Sequence, residues 1–374
     1  MQLHVGSRHL AADAAVALDA TGREHLVIAV KATWQIPDPG QRPRPLPPQA
    51  IVLADDYLGA PGESPMRYGA DMARFKARCD VILDAQAHAP DGLAVRELVA
   101  GVEVGEFNKR VRVIGERRWR ATGSRREDFT LTEPEPFISL PLHHAFAFGG
   151  TRSLPEGEGH AEVHEFNPIG LGFAGEGTWR AMDGLPAPRL EDPSRPLRHP
   201  GDEALPWALG AIGRHWLPRR AHAGTYDERW RRDVFPLPPE DFDERFHQVA
   251  PPDQQMPYPR GGERVRLTHL MRELPQLSFA LPRLDMQVRV LRANYQQEAP
   301  TAVVDTLFFE PEERRFSVVW RASVRQYRSI QEFSEVAIGP VDPVWWRQRI
   351  SGGCAGCGGV PGAAEDTSPD EVTA

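Results

Sequence analysis

Short hydrophobic runs, several alternating with polar residues, mark the first third of the chain and return toward its C-terminal end. The stretch HLVIAVKATWQI, preceded by AVALD and the turn-forming ATGRE, is rich in β-branched and aromatic residues. Such side chains fit a pleated, half-buried surface, so residues 16–36 are predicted to form a hairpin. Further runs lie at residues 79–87 (CDVILDAQA), 98–104 (LVAGVEV) and 110–114 (RVRVI), with GEFNK as the turn between the last two. Sequential short strands of this kind predict neighbours in an antiparallel sheet. Strands return at residues 263–270, 276–281 and 286–291, and residues 302–309 and 315–324 flank EPEER as a second hairpin. A short helix is predicted over residues 343–350 (PVWWRQRI).

Two stretches break this pattern. Residues 37–48 (PDPGQRPRPLPP) predict an extended loop, because proline lacks the backbone donor and restricts the residue before it. Over residues 146–262 prolines, glycines, tryptophans and histidines are dense, and neither the strand nor the helix period is visible. So long an irregular stretch inside a compact protein is uncommon and is often functional. The pattern divides the chain into an N-terminal β-rich region (1–145), an irregular segment packed on it (146–262), a C-terminal β-rich region (263–350) and a Gly-rich tail (351–374) expected to be disordered. The expected fold class is mainly β: antiparallel, sandwich-like sheets with a long irregular Pro/Gly/Trp-rich middle segment and few short helices.

Composition narrows the function. With 41% hydrophobic and 26% charged residues the chain can bury a core, and its net charge of −8 opposes binding to nucleic acid or to an anionic membrane. No stretch reaches about 18 apolar residues and the first residues lack a signal-peptide pattern, so the expected compartment is the cytoplasm. Three cysteines, Cys79, Cys354 and Cys357, are too few for a disulfide framework. Only Lys31, Lys76 and Lys109 among the 44 basic residues are lysines, which reads as a coding bias and gives arginine richness no functional weight.

Catalytic motifs are weak. Gly170, Gly172 and Gly175 spell G-x-G-x-x-G, but Asn167-Pro168 before them and a further glycine after them deny the strand and helix that a dinucleotide site needs. His160 and His164 are spaced as in metalloproteases, yet the glutamate is misplaced, and Cys354-x-x-Cys357 supplies two ligands where a structural zinc site needs four. No cofactor is expected. The cluster Arg117, Arg118, Trp119, Arg120, Arg125 and Arg126 reads as a solvated hairpin face.

The middle segment offers a partner surface instead. Trp207, Trp216, Tyr226, Trp230 and Phe235 interleave with arginines that include Arg219 and Arg231, the composition of a protein interface core. Trp207, Trp216, Arg219, Tyr226, Asp227, Trp230 and Arg231 are the candidate partner-binding residues. The same rings could equally pin an irregular loop to the sheet. Asp253, Gln254 and Gln255 are expected to form a polar cluster that satisfies backbone groups no ladder can pair.

Several phrases in order resemble the type VI secretion accessory family, long catalogued as a domain of unknown function. They are DMARFKARCDVIL, VEVGEFNKRVRVIGERRW, PEPFISLPLHHAFAFGG, NPIGLGF, IGRHWLPRRAHAGTYDERW, LPPEDFD and VAPPDQQ, within residues 3–350. LPAPRLED departs from the family's Asn-containing form while retaining an acid at Glu191. The resemblance implies a non-catalytic adaptor or chaperone that stabilises a PAAR-type effector and promotes its loading onto the VgrG spike. It carries over no catalytic residue. The competing reading is a hydrolase or metal-dependent enzyme built on His143, His144, His160 and His164 with nearby acids.

Overall fold

A computed structural model describes residues 1–152, 161–175, 179–202 and 204–351. In chain order its main strands begin with β1 (Gln2–Val5), β2 (Leu10–Leu18), β3 (Glu24–Gln35), β4 (Cys79–Leu83), β5 (Glu97–Val104), β6 (Phe107–Ile114) and β7 (Leu190–Glu191). They continue with β8 (Gln255–Met256), β9 (Arg264–Met271), β10 (Leu274–Ala280), β11 (Val288–Arg292) and β12 (Gln297–Glu298). The last are β13 (Val303–Glu310), β14 (Arg315–Arg325) and β15 (Phe333–Ile338). The helices are short: α1 (Leu217–Arg220), α2 (Glu228–Asp233) and α3 (Pro343–Ile350). None of the described helices is long and apolar enough to cross a membrane.

Three sheets share one core. A six-stranded sheet has the order β8-β4-β13-β14-β3-β2, a five-stranded sheet β7-β6-β5-β9-β10, and a four-stranded sheet β1-β15-β11-β12. Pairing is antiparallel except between β4 and β13 and between β1 and β15. The fold is therefore mainly β, as its residue pattern predicts. Leu26, Ile28 and Val30 of the six-stranded sheet pack in one cluster with Val102, Val111 and Leu267 of the five-stranded sheet and with Val290 and Val336 of the third. Each such side chain, fully buried, stabilises the fold by roughly 1.5–3 kcal/mol.

Local chemistry explains the turns. In the β2–β3 turn the Asp19 carboxylate accepts hydrogen bonds from the backbone N–H of Thr21 and of Arg23, while Gly22 takes φ +75°. The β5–β6 hairpin closes Val104 on Phe107 through Gly105 at φ +57°. Helix α3 begins where the Asp342 carboxylate accepts the Val344 N–H at 2.8 Å, and it buries Trp345 and Trp346 against Leu291 and Ala337.

Two expectations about strands need correction. The first hairpin starts at Leu10 and not near Val16, because pairing with β3 along its length imposes strand geometry on the alanine-rich LAADAAVAL, whose β propensity is low. The strand beginning at Cys79 is not a neighbour of the next two. It joins the six-stranded sheet parallel to β13, while β5 and β6 belong to the five-stranded sheet. Tertiary packing here outweighs the tendency of consecutive strands to pair.

Candidate functional site

The second face of the six-stranded sheet is also covered, by buried ion pairs and by a small apolar cluster that includes Met66, Ile82, Val249 and Phe308. Asp80, Thr306, Val319 and Lys31 are register partners across four adjacent strands, and Ile82, Phe308, Ser317 and Thr33 form the next row. Residues 49–76 and 248–256 cover this face. Proline-rich or irregular, they have few ladder partners, so sheet and cover side chains satisfy their backbones.

The contacts are ionic. Lys31 Nζ meets Asp71 Oδ2 at 2.5 Å and donates to the Ala50 carbonyl, and the same carboxylate oxygen accepts the Val52 N–H at 2.7 Å. Lys76 Nζ donates to Asp80 (2.9 Å) and Thr306 (3.0 Å), while Asp80 also accepts from Gln248 Nε2 and the Val249 N–H. Arg321 pairs with Asp305 at 2.5 Å and donates to the carbonyls of Asp71 and Ala73. Tyr68 donates to Glu310 at 2.6 Å, and burial together with that carboxylate pushes its hydroxyl pKa up to about 12. A cavity of about 200 Å³ remains between Lys31, Asp71, Lys76, Thr306 and Glu310.

A third buried ammonium lies at the edge of the core. Lys109 Nζ sits 2.6 Å from Asp253 Oδ2 and 4.7 Å from the centre of the Trp207 ring. Burial lowers its pKa and Asp253 opposes that shift. All three lysines of the chain are thus buried, each against an aspartate. Of the expected polar cluster, Gln254 and Gln255 satisfy backbone groups, Gln254 Nε2 donating to the carbonyls of Val81 and Leu209, both at 2.6 Å, and Gln255 Nε2 to that of Ala250, whereas Asp253 pairs with Lys109 instead.

The seven candidate partner-binding residues divide into two groups. Trp207 is half-buried, donating to the Arg110 carbonyl at 2.6 Å. Trp216 is buried at the start of α1, edge-on to His144 at 5.2 Å. Arg219 is also buried, donating to the carbonyls of Phe246 and Ile212, both at 3.0 Å, and burial lowers its pKa to about 10. These three anchor the irregular segment and present little surface to a partner.

Tyr226, Asp227, Trp230 and Arg231 lie together on an exposed lobe around α2. Asp227 caps the helix, accepting the Trp230 N–H at 2.8 Å. The Trp230 ring is held edge-on between Tyr226 (4.7 Å) and Phe235 (5.6 Å), and its indole N–H donates to the Leu237 carbonyl at 2.9 Å. Tyr226 is 58% exposed and Phe235 65% exposed. Leu237, absent from the sequence-based set, is exposed beside them and contacts the β2–β3 turn at Gly22. Arg231 pairs with Glu228 at 2.8 Å on the solvent side.

The remaining motifs resolve into packing. Gly172 pairs with Gly149 in a short parallel bridge, and Gly172 and Gly175 take positive φ, a turn geometry. His144 is fully buried, bonded through Nε2 to the Gly210 carbonyl, and burial lowers its pKa to about 3. His143 stacks on Phe146, and His164 lies among Phe148, Phe166 and Phe173. Among the described residues no group of three or more His, Cys, Asp or Glu could hold a metal ion. His160, Cys354 and Cys357, and the tail from residue 352, lie outside the described residues. The arginine cluster is only partly a solvated face. Arg117 is buried in a pair with Glu191, and Trp119 packs with Phe129 and Met182, while Ala174 and Ala187 complete the same buried cluster.

A family model described as an uncharacterized protein conserved in bacteria (DUF2169) matches residues 21–321. That span contains the ionic layer from Lys31 to Arg321 and the aromatic lobe. No curated protein matches, and no solved structure does.

Proposed function

The chain belongs to this DUF2169 family of bacterial proteins, and from that premise we propose that it is a non-catalytic adaptor or chaperone, binding a PAAR-type type VI secretion effector and promoting its loading onto the VgrG spike. The observation that carries a binding role is the aromatic lobe. Tyr226 and Phe235 are mostly exposed, yet both are held edge-on to a Trp230 ring whose indole is tied to the backbone. Rings ordered before binding lose little entropy on contact, and aromatic side chains dominate interface hot spots. The phrases GTYDERW and VAPPDQQ, which carry much of the resemblance to the secretion accessory family, supply part of the lobe and part of the cover.

The test is the pair Tyr226→Ala and Phe235→Ala in one chain, co-expressed with the PAAR-type effector from the same strain. Little buried contact is removed, so melting should change by no more than surface substitutions usually cause, about 0.5 kcal/mol. Effector recovered with the chain should fall at least about tenfold, the effect of losing about 1.4 kcal/mol of binding. Undiminished recovery from a folded variant places the interface elsewhere.

A further inference from the structure

The outer sheet edges differ in how they are protected. An unpaired strand edge is a template for another strand, and proteins usually blunt it with short strands, proline, lysine or a bulge. Here β7, β8 and β12 are two residues long, β1 has four, and β10 carries Pro275 against a bulged β9. Strand β2 has no proline, lysine or bulge, and its one charged residue, Asp13, accepts the Ala14 N–H, a bond that pairing with another strand must exchange. It runs nine residues in unbroken register with β3, without proline, glycine or lysine, and Val16 is 39% exposed. Among the described residues no segment bonds to its outer side from Ala11 to Leu18.

We propose that β2 pairs with β2 of a second copy of this chain, antiparallel, about a two-fold axis through Ala14. Two observations select this occupant. The Ala14 N–H donates to the neighbouring Asp13 carboxylate at 2.7 Å, so it points away from β3. With the alternation of a strand, Ala12, Ala14 and Val16 therefore present their N–H and C=O groups outward. The strand LAADAAVAL is also nearly a palindrome about Ala14. Self-pairing there sets Leu10 opposite Leu18 of the second copy, Ala11 opposite Ala17, Ala12 opposite Val16 and Asp13 opposite Ala15. No directly opposed pair has like charges, the two Asp13 carboxylates lying diagonally across the axis, and the small side chains admit close approach. Two six-stranded sheets then continue into one. The strand contact alone buries less than the roughly 1,200 Å² typical of stable complexes, so the dimer is weak and concentration-dependent. This pairing does not rest on the adaptor reading.

Sedimentation of the full chain over a wide concentration range tests it. The wild type should move from monomer to dimer. Ala15→Lys places an ammonium opposite Asp13 twice per dimer and should tighten association about tenfold, whereas Ala15→Glu should weaken it by at least about as much. Ala14→Pro removes the outward donor at the axis without touching the ladder to β3, and should abolish the dimer. Melting curves establish that each variant is folded. A chain that is monomeric throughout, or a dimer that responds alike to Ala15→Lys and Ala15→Glu, overturns the proposal.

Discussion

The two faces of the six-stranded sheet are both covered but are held in different ways. On β14, Phe316, Val318, Trp320, Ala322 and Val324 point into the common core, while Ser317, Val319 and Arg321 point at the irregular cover. The first face is cohesive because hydrocarbon packs against hydrocarbon, and contacts of similar volume can substitute for one another. On the second, each charge is committed to named partners, and a buried charge that loses its partner retains the cost of leaving water. One face can absorb changes in shape; on the other, removing one member of an ion pair leaves its partner buried without a counter-charge.

The largest expected effect breaks the ionic face. Lys76→Met should cost about 3–5 kcal/mol, since it leaves Asp80 buried without its counter-ion. Adding Asp80→Leu should recover part of that loss, which denaturant titration of both single variants and the double variant would reveal as strong non-additivity. Simple additivity would mean that the pair is not coupled.

A gentler pair of substitutions sharpens the comparison. Lys76→Arg keeps the charge but forces a larger, planar head between Asp80 and Thr306, and should cost about 1–3 kcal/mol. On the apolar face Leu307→Met should cost less than about 1.5 kcal/mol. Equal losses in the two variants would erase the distinction between the faces.

Acid probes the buried ring beside the lysine layer. His144 is neutral when folded, with its pKa lowered from 6.5 to about 3 by burial and then by the charge of Lys109. Below pH 6.5 the unfolded ring takes up a proton that the folded ring refuses. The stability present above that pH should therefore fall toward pH 3 by about 1.4 kcal/mol per pH unit from this residue. His144→Gln should flatten the slope measured by thermal melts, and an unchanged slope would assign it to other groups.

The smallest effect belongs to the lobe. Arg231→Glu replaces one member of an exposed pair with Glu228 and should shift stability by no more than about 0.5 kcal/mol. Arg219→Glu, in contrast, puts a carboxylate against the carbonyls of Phe246 and Ile212 and should destabilise the chain strongly. Arginine richness in the middle segment suggests equivalent surface positions, and burial separates them.

Much of the fold is legible in residue order. The second strand of the first hairpin, the strands within residues 98–114, 263–291 and 302–324, and the helix over residues 343–350 lie close to where their patterns put them, because periodicity reflects the two sides of a single strand or helix. The candidate site is less legible. Tyr226, Asp227, Trp230 and Arg231 do gather on one lobe, yet nothing in their order separates them from Trp216 and Arg219, which are buried. For the ionic layer a signal did exist in composition: three lysines among 44 basic residues, read as coding bias, occupy the three buried ammonium positions.

The amino-acid order by itself determined the mainly β character, most strands, the turns at Gly22 and Gly105 and the irregular middle of the chain. These follow from side-chain alternation and from backbone conformations that only certain residues adopt. Tertiary structure alone decided that β4 runs beside β13, that Lys31 meets Asp71 and Lys109 meets Asp253, and which rings face water. Local pattern states that a side chain is charged or apolar and carries nothing about its partner. That choice is made where distant segments meet, under the requirement that every charge taken from water find its complement.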